Sequence, residues 1–163
     1  MVHERLYQAE DLASVDVREY LESLTGYLLA AYEGNTDTTL LDLQVDDVYL
    51  DLDSAIASGL IVNELVSNAL KHAFPPGWEG EGKIVVKLGE SECDRFQLVV
   101  TDNGVGFPSD LDLERAESLG LRLVKMLVQQ IEGTLELGRD AGTSFRITFP
   151  AAAQTSSQET GHG

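Results

Sequence analysis

Glu64, Asn68 and Lys71 stand four and then three residues apart in the stretch GLIVNELVSNALKHAF, residues 59–74. On a helix of 3.6 residues per turn this spacing gathers them within about 60° of one another. A carboxylate, an amide and an ammonium on one face can meet a common ligand. Val62, Val66, Ala69, Leu70 and Ala73 fall on the opposite arc, so the helix is predicted to bury one side on a sheet and turn the other into a pocket. An ordinary amphipathic helix with a solvated polar side shares this pattern. It does not explain Asn63, Ser67 and Asn68, weak helix formers where Glu, Lys or Arg would serve a plain surface better.

Three glycine-bearing segments downstream bear on the choice. Asp102-Asn103-Gly104-Val105-Gly106 closes an apolar run. An Asp-Asn-Gly tripeptide alone signals a hairpin turn, but Phe107-Pro108 and a polar loop follow instead of a returning strand. Paired glycines after a strand suit a backbone that passes close to a ligand, and the Asp102 carboxylate there can accept from an exocyclic amine. Ser118-Leu119-Gly120-Leu121-Arg122 opens a helical run, where free N–H groups and the positive end of the helix dipole suit phosphate, although glycine is also a tolerable cap. Gly142-Thr143-Ser144-Phe145 begins the last strand and is compatible with a simple turn.

The elements that must position these groups are legible as periodicity. A capping pair, Asp16 and Glu19, precedes an amphipathic helix to about Tyr32, ended by Gly34 and Asn35. TTLLDLQV at 38–45 alternates as a strand, and Asp46-Asp47 turns into the short run Val48-Tyr49-Leu50. Asp53 or Ser54 is the expected cap of the central helix, which Pro75-Pro76-Gly77 must stop. Two strands, 83–90 and 95–102, read as a hairpin, with a helix at 119–130 and strands at 133–138 and 143–150 to follow. The result is an α+β fold, a two-layer α/β sandwich of about five mostly antiparallel strands with three helices on one face. Its element order is not the alternating pattern of a doubly wound nucleotide fold, and no GxxxxGK[ST] is present.

Composition bounds the function. The 163 residues make one domain, 15–150, between a short leading segment, 1–14, read as the end of a helix followed by an unwinding stretch, and a small polar tail, 151–163, read as disordered. A formal charge of −17 opposes binding of nucleic acid or an anionic membrane through a general field. Any anionic ligand must be held locally, which gives weight to Lys71, Arg122 and Lys125. The acidic run from Asp37 to Asp53 lacks the spacing of a calcium loop and reads as a solvated edge. No apolar run spans a bilayer, no signal peptide is present, and the single Cys93 fits a reducing compartment, so a cytoplasmic location is expected.

Taken together, residues 54–150 resemble the ATP-binding (Bergerat-fold) domain shared by gyrase, heat-shock-90-type chaperones, sensor histidine kinases and mismatch-repair ATPases. NELVSNALKHAFP and SLGLRLVKMLVQQIEGTLEL are most similar to sensor histidine kinases of the short-lid class, and HERLYQAEDLASVDVREYLESL resembles their link from the dimerisation helices. The resemblance implies ATP and Mg²⁺ as ligands. Asn68 would coordinate the metal, Asp102 would accept from the adenine amine, and Gly104 and Gly106 would shape a lid hinge. The backbone at Leu119, Gly120 and Leu121 would face the phosphates, with Lys71 and Arg122 adding to the phosphate side, His72 beside the phosphates or on the pocket wall, and Thr143 lying beside Asp102 and the base. Glu64 occupies the position of a general base or of a residue that orders metal-bound water. Two departures stand out. Ser118 replaces the first glycine of the helix loop, and the phospho-accepting histidine motif is absent, since His3 lies in the link and His162 in the tail. The implied partners are therefore a histidine-bearing dimerisation domain outside this chain and a response-regulator receiver. An anti-sigma-type serine kinase and a non-catalytic ATP-sensing module are the alternatives.

Overall fold

The computed structural model describes residues 15–31, 39–74, 77, 80–92, 94–105, 119–138 and 142–150. A two-residue strand β1 (Val15–Asp16) leads into helix α1 (Val17–Ala31). Strand β2 (Thr39–Val45) and the short β3 (Tyr49–Leu50) come next, then the central helix α2 (Leu52–Asn68). One π-helical turn, Ala69–Ala73, extends α2. The hairpin β4 (Gly82–Ser91) and β5 (Arg95–Asp102), helix α3 (Leu119–Gln130), β6 (Thr134–Gly138) and β7 (Thr143–Pro150) complete the elements of the described residues.

The main sheet has the order β2-β4-β5-β7-β6. Every neighbouring pair is antiparallel except β2 and β4, which run parallel because α2 crosses between them. Alternation sets the layers. Ile84, Val86 and Leu88 on β4, Leu98 and Val100 on β5, and Phe145, Ile147 and Phe149 on β7 are all buried beneath the helices. Phe96 and Phe149 meet with ring centroids 5.7 Å apart. From the helical side come Val17, Leu21, Ile61, Val62, Leu65, Val66 and Val124. Each such side chain contributes roughly 1.5–3 kcal/mol relative to exposure, so this interior, and not local propensity, fixes the polar-rich α2 as a helix.

Three details differ from the sequence expectation. Helix α2 is capped by Asp51, whose carboxylate accepts from Ser54 N–H at 3.1 Å, not by Asp53 or Ser54. Asp51 holds an extended φ/ψ directly after β3, which suits a cap, whereas Asp53 already lies in the first turn and Ser54 is buried. Residues 15–16 pair antiparallel with 49–50 as a separate ribbon, Val15 opposite Leu50, so Asp16 belongs to a strand while its side chain still accepts from Glu19 N–H at 3.4 Å. The last turn of the central helix is π and not α. The end expected for α1 near Gly34, the lone Cys93, and the segments 1–14 and 151–163 lie outside the described residues.

Candidate functional site

Helix α2 carries the site along its length. Glu64 and Asn68 are half-buried on the side facing the first turn of α3, where Gly120 sits. A Cβ built on Gly120 would stand 2.6 Å from Glu64 Oε1 and 3.7 Å from Asn68 Nδ2. The carboxylate, the amide and the opening of a helix thus converge, and a side chain at position 120 would have to displace the Glu64 carboxylate. Leu121 is buried at 4% exposure, so it offers the site its backbone and commits its side chain to the core. Leu119 starts α3, and Arg122 is exposed on the same turn.

Lys71 and His72 are exposed on the π turn. A π turn takes more residues per revolution than an α turn, so Lys71 is rotated away from the position that α-helical spacing gives it. The face shared by Glu64 and Asn68 is kept.

The second half of the site begins where that turn ends. Ala73 C=O accepts from Val105 N–H at 2.9 Å, and a Cβ on Gly104 would collide with the same carbonyl. The glycine loop is thereby pinned to the end of the helix that bears Asn68, on the order of 7 Å along the axis at helical rise. Asp102 ends β5 and is buried, 9% exposed. Its Oδ1 accepts from Gly104 N–H at 2.8 Å. Burial raises its pKa above the ordinary 3.8, while N–H donors from Gly104 and Thr143 pull the other way. Desolvation dominates.

Thr143 is Asp102's partner across the β5–β7 register and is also buried. Gly142 precedes it at φ +116°, where a Cβ would strike Asp102 C=O. A side-chain-free residue in the left-handed region lets β7 begin directly behind Asp102. Asp102, Gly104 and Thr143 therefore meet at one end of the site. Gly106 lies outside the described residues, as does the loop to Ser118.

Sequence reasoning passed over Asn103. Its Oδ1 accepts from Lys83 N–H at 2.7 Å and its Nδ2 donates to Glu81 C=O at 3.1 Å. The signal was available, since Asn after a strand and before Gly commonly substitutes its side chain for backbone.

Among the described residues no three His, Cys, Asp or Glu side chains cluster as metal ligands. A hard cation here would rest on an amide oxygen, water and the ligand's own phosphates, the donor set Mg²⁺ accepts. The Asn68 amide beside the Gly120 cradle fits that role. The opening of α3 adds the positive end of a helix dipole, so the site pairs an anion-favouring end with an amine-accepting end, as a purine nucleotide requires.

Residues 55–153 match the family described as histidine kinase-, DNA gyrase B-, and HSP90-like ATPase, and residues 1–32 match a second family described as histidine kinase. The chain is 36% identical over 104 residues to the sensor histidine kinase PdtaS of Mycobacterium tuberculosis, covering 62% of this chain and 20% of that protein. It is 34% identical over 158 residues to blue-light-activated histidine kinase 2 of Erythrobacter litoralis, covering 91% and 44%. Among solved structures, the histidine kinase domain of the Erythrobacter litoralis EL346 blue-light activated histidine kinase superposes with a TM-score of 0.74 at 27% identity, covering 88% of this chain and 66% of that one. The chain thus spans between a fifth and less than half of these curated relatives.

Proposed function

Because the chain belongs to the family of histidine kinase-, DNA gyrase B- and HSP90-like ATPases, we propose that it is the ATP-binding catalytic segment of a two-component sensor histidine kinase. The observation that carries this reading is the convergence, along one helix, of the Glu64–Asn68–Gly120 cluster at one end and the Gly104 loop with buried Asp102 at the other. Asp102 accepts from the adenine amine, Thr143 lies beside the base, and Gly104 lets the backbone pass close to the ligand. Asn68 would hold Mg²⁺, whose charge would offset the phosphates. In a chain of net −17 that offset matters, because two unit charges 4 Å apart interact by about 1 kcal/mol in water and about 4 kcal/mol near a protein surface. The first N–H groups of α3, from Leu119 to Leu121, face the phosphates, and Lys71, His72 and Arg122 contribute positive or polar groups at their edge.

In the transfer itself, an imidazole nitrogen of the acceptor histidine bonds to the γ-phosphorus as the bond to the β-bridging oxygen breaks, and ADP leaves. Positioning and electrostatics supply most of the rate in such reactions. Glu64 would either take the imidazole proton or help order water beside the cation, and general-base assistance would be worth roughly 10²–10⁴. The match of residues 1–32 to a histidine kinase family favours histidine over serine as acceptor. The partners are then a histidine-bearing domain and a response-regulator receiver, in the cytoplasm; no helix among the described residues is long and apolar enough to cross a membrane.

The test is transfer of label from γ-labelled ATP to a separately supplied histidine-bearing domain. The expected product is acid-labile and is lost with Glu64→Ala. An acid-stable product would identify a serine kinase. Nucleotide binding without any transfer would leave a sensing module in its place.

A further inference from the structure

Asn103 sits between Asp102, assigned to the base, and Gly104 of the loop, and its side chain does what backbone does elsewhere in the sheet. In the β4–β5 ladder Ile84 pairs with Asp102, so Lys83 and Asn103 form the next rung. Asn103 N–H donates to Lys83 C=O at 3.1 Å, as a regular rung requires. The return bond is different: Lys83 N–H is received at 2.7 Å by Asn103 Oδ1 and not by the main-chain carbonyl. Nδ2 then donates to Glu81 C=O, carrying the pairing further still. The side chain completes the ladder, which frees the main chain to leave it immediately after Asp102.

That departure decides where Asp102 points. The N–H that holds Asp102 Oδ1 belongs to the peptide following Asn103, and the next N–H, of Val105, bonds Ala73 C=O at the end of the π turn. Fixing Asn103 therefore fixes the donor that aims the carboxylate. We infer that Asn103 is a positioning residue for base selection, its amide clamping the loop to β4 so that the Asp102 carboxylate meets an exocyclic amine in register. The inference rests on the adenine role proposed for Asp102.

The experiment compares dissociation constants of the full chain for ATP and for purine riboside triphosphate, which lacks only the amine, in the wild type and in Asn103→Ala, Asn103→Asp and Asp102→Ala. Wild type should prefer ATP by about tenfold, as expected for one hydrogen bond to a charged acceptor. Asn103→Ala should bring that preference to near unity while affinity for the amine-free nucleotide changes little. Asn103→Asp, which keeps the acceptor for Lys83 N–H, should keep part of the preference, and it serves if the alanine variant does not fold. A preference lost in Asp102→Ala but intact in Asn103→Ala, or two affinities that weaken equally in Asn103→Ala, would overturn the positioning role. A preference that survives Asp102→Ala would instead sink the adenine assignment, and this inference with it.

Discussion

Asp102 is held where a carboxylate is uncomfortable, and the discomfort is measurable. Its folded pKa is raised above 3.8, chiefly by burial. Above that value the unfolded chain releases the proton more readily than the folded one, so the residue withdraws stability as pH rises through the window starting at 3.8. The melting temperature of Asp102→Asn relative to wild type should accordingly move in the variant's favour between pH 3 and pH 7; a flat difference would show that burial is not the governing influence. The same variant should bind ATP at least about tenfold more weakly by calorimetry, because an amide presents a competing donor to the adenine amine. Asn68→Ala should weaken binding mainly when Mg²⁺ is present, and an equal loss with and without metal would contradict its role. At this scale the sequence was informative where a residue's chemistry is unusual for its place: an acid at a strand end, an amide on a helix. It was silent on Asn103, whose role depends on which backbone groups the fold leaves without a ladder partner.

Helix α2 is the element on which the site depends, and both of its ends are informative. The Asp51 cap satisfies one free N–H group, so Asp51→Ala should destabilise the protein by about 1 kcal/mol in urea titration with little effect on nucleotide affinity. At the other end, Gly104→Ala would drive a methyl group into Ala73 C=O, a backbone atom that cannot swing aside. We expect a loss of about 1–3 kcal/mol in stability, with a loss of ATP affinity as well. Unaltered binding in Gly104→Ala would mean that the loop's seat on the helix is irrelevant to the ligand. The long elements α1, α2, α3 and the five sheet strands were legible because apolar residues recur at helical or alternating period over many positions. The β1–β3 ribbon was not, since two-residue strands have no period. The parallel β2–β4 pairing and the π turn were equally hidden, the first being a property of the crossover and the second of a local winding that leaves the residue order unchanged.

The molecule as a whole joins an apolar two-layer interior to a polar site on one helix, in a chain of net charge −17. An ATP molecule carrying several negative charges can bind such a protein only if metal, helix terminus and hydrogen bonds act together at one place. The α+β sandwich followed from periodicity and element order; the nucleotide was implied by a family resemblance that four short motifs carry only jointly. The central claim is that Asp102 and Asn68 grip opposite ends of one magnesium nucleotide. Its most direct measurement is thermal unfolding of the whole chain with ATP, with and without Mg²⁺. At a hundred times the dissociation constant, binding should add about 2.7 kcal/mol. That raises the melting temperature by roughly 5–10 °C for a domain of this size, and the rise should shrink without Mg²⁺ and collapse in Asp102→Asn. A melting curve unmoved by millimolar ATP with magnesium would contradict the account.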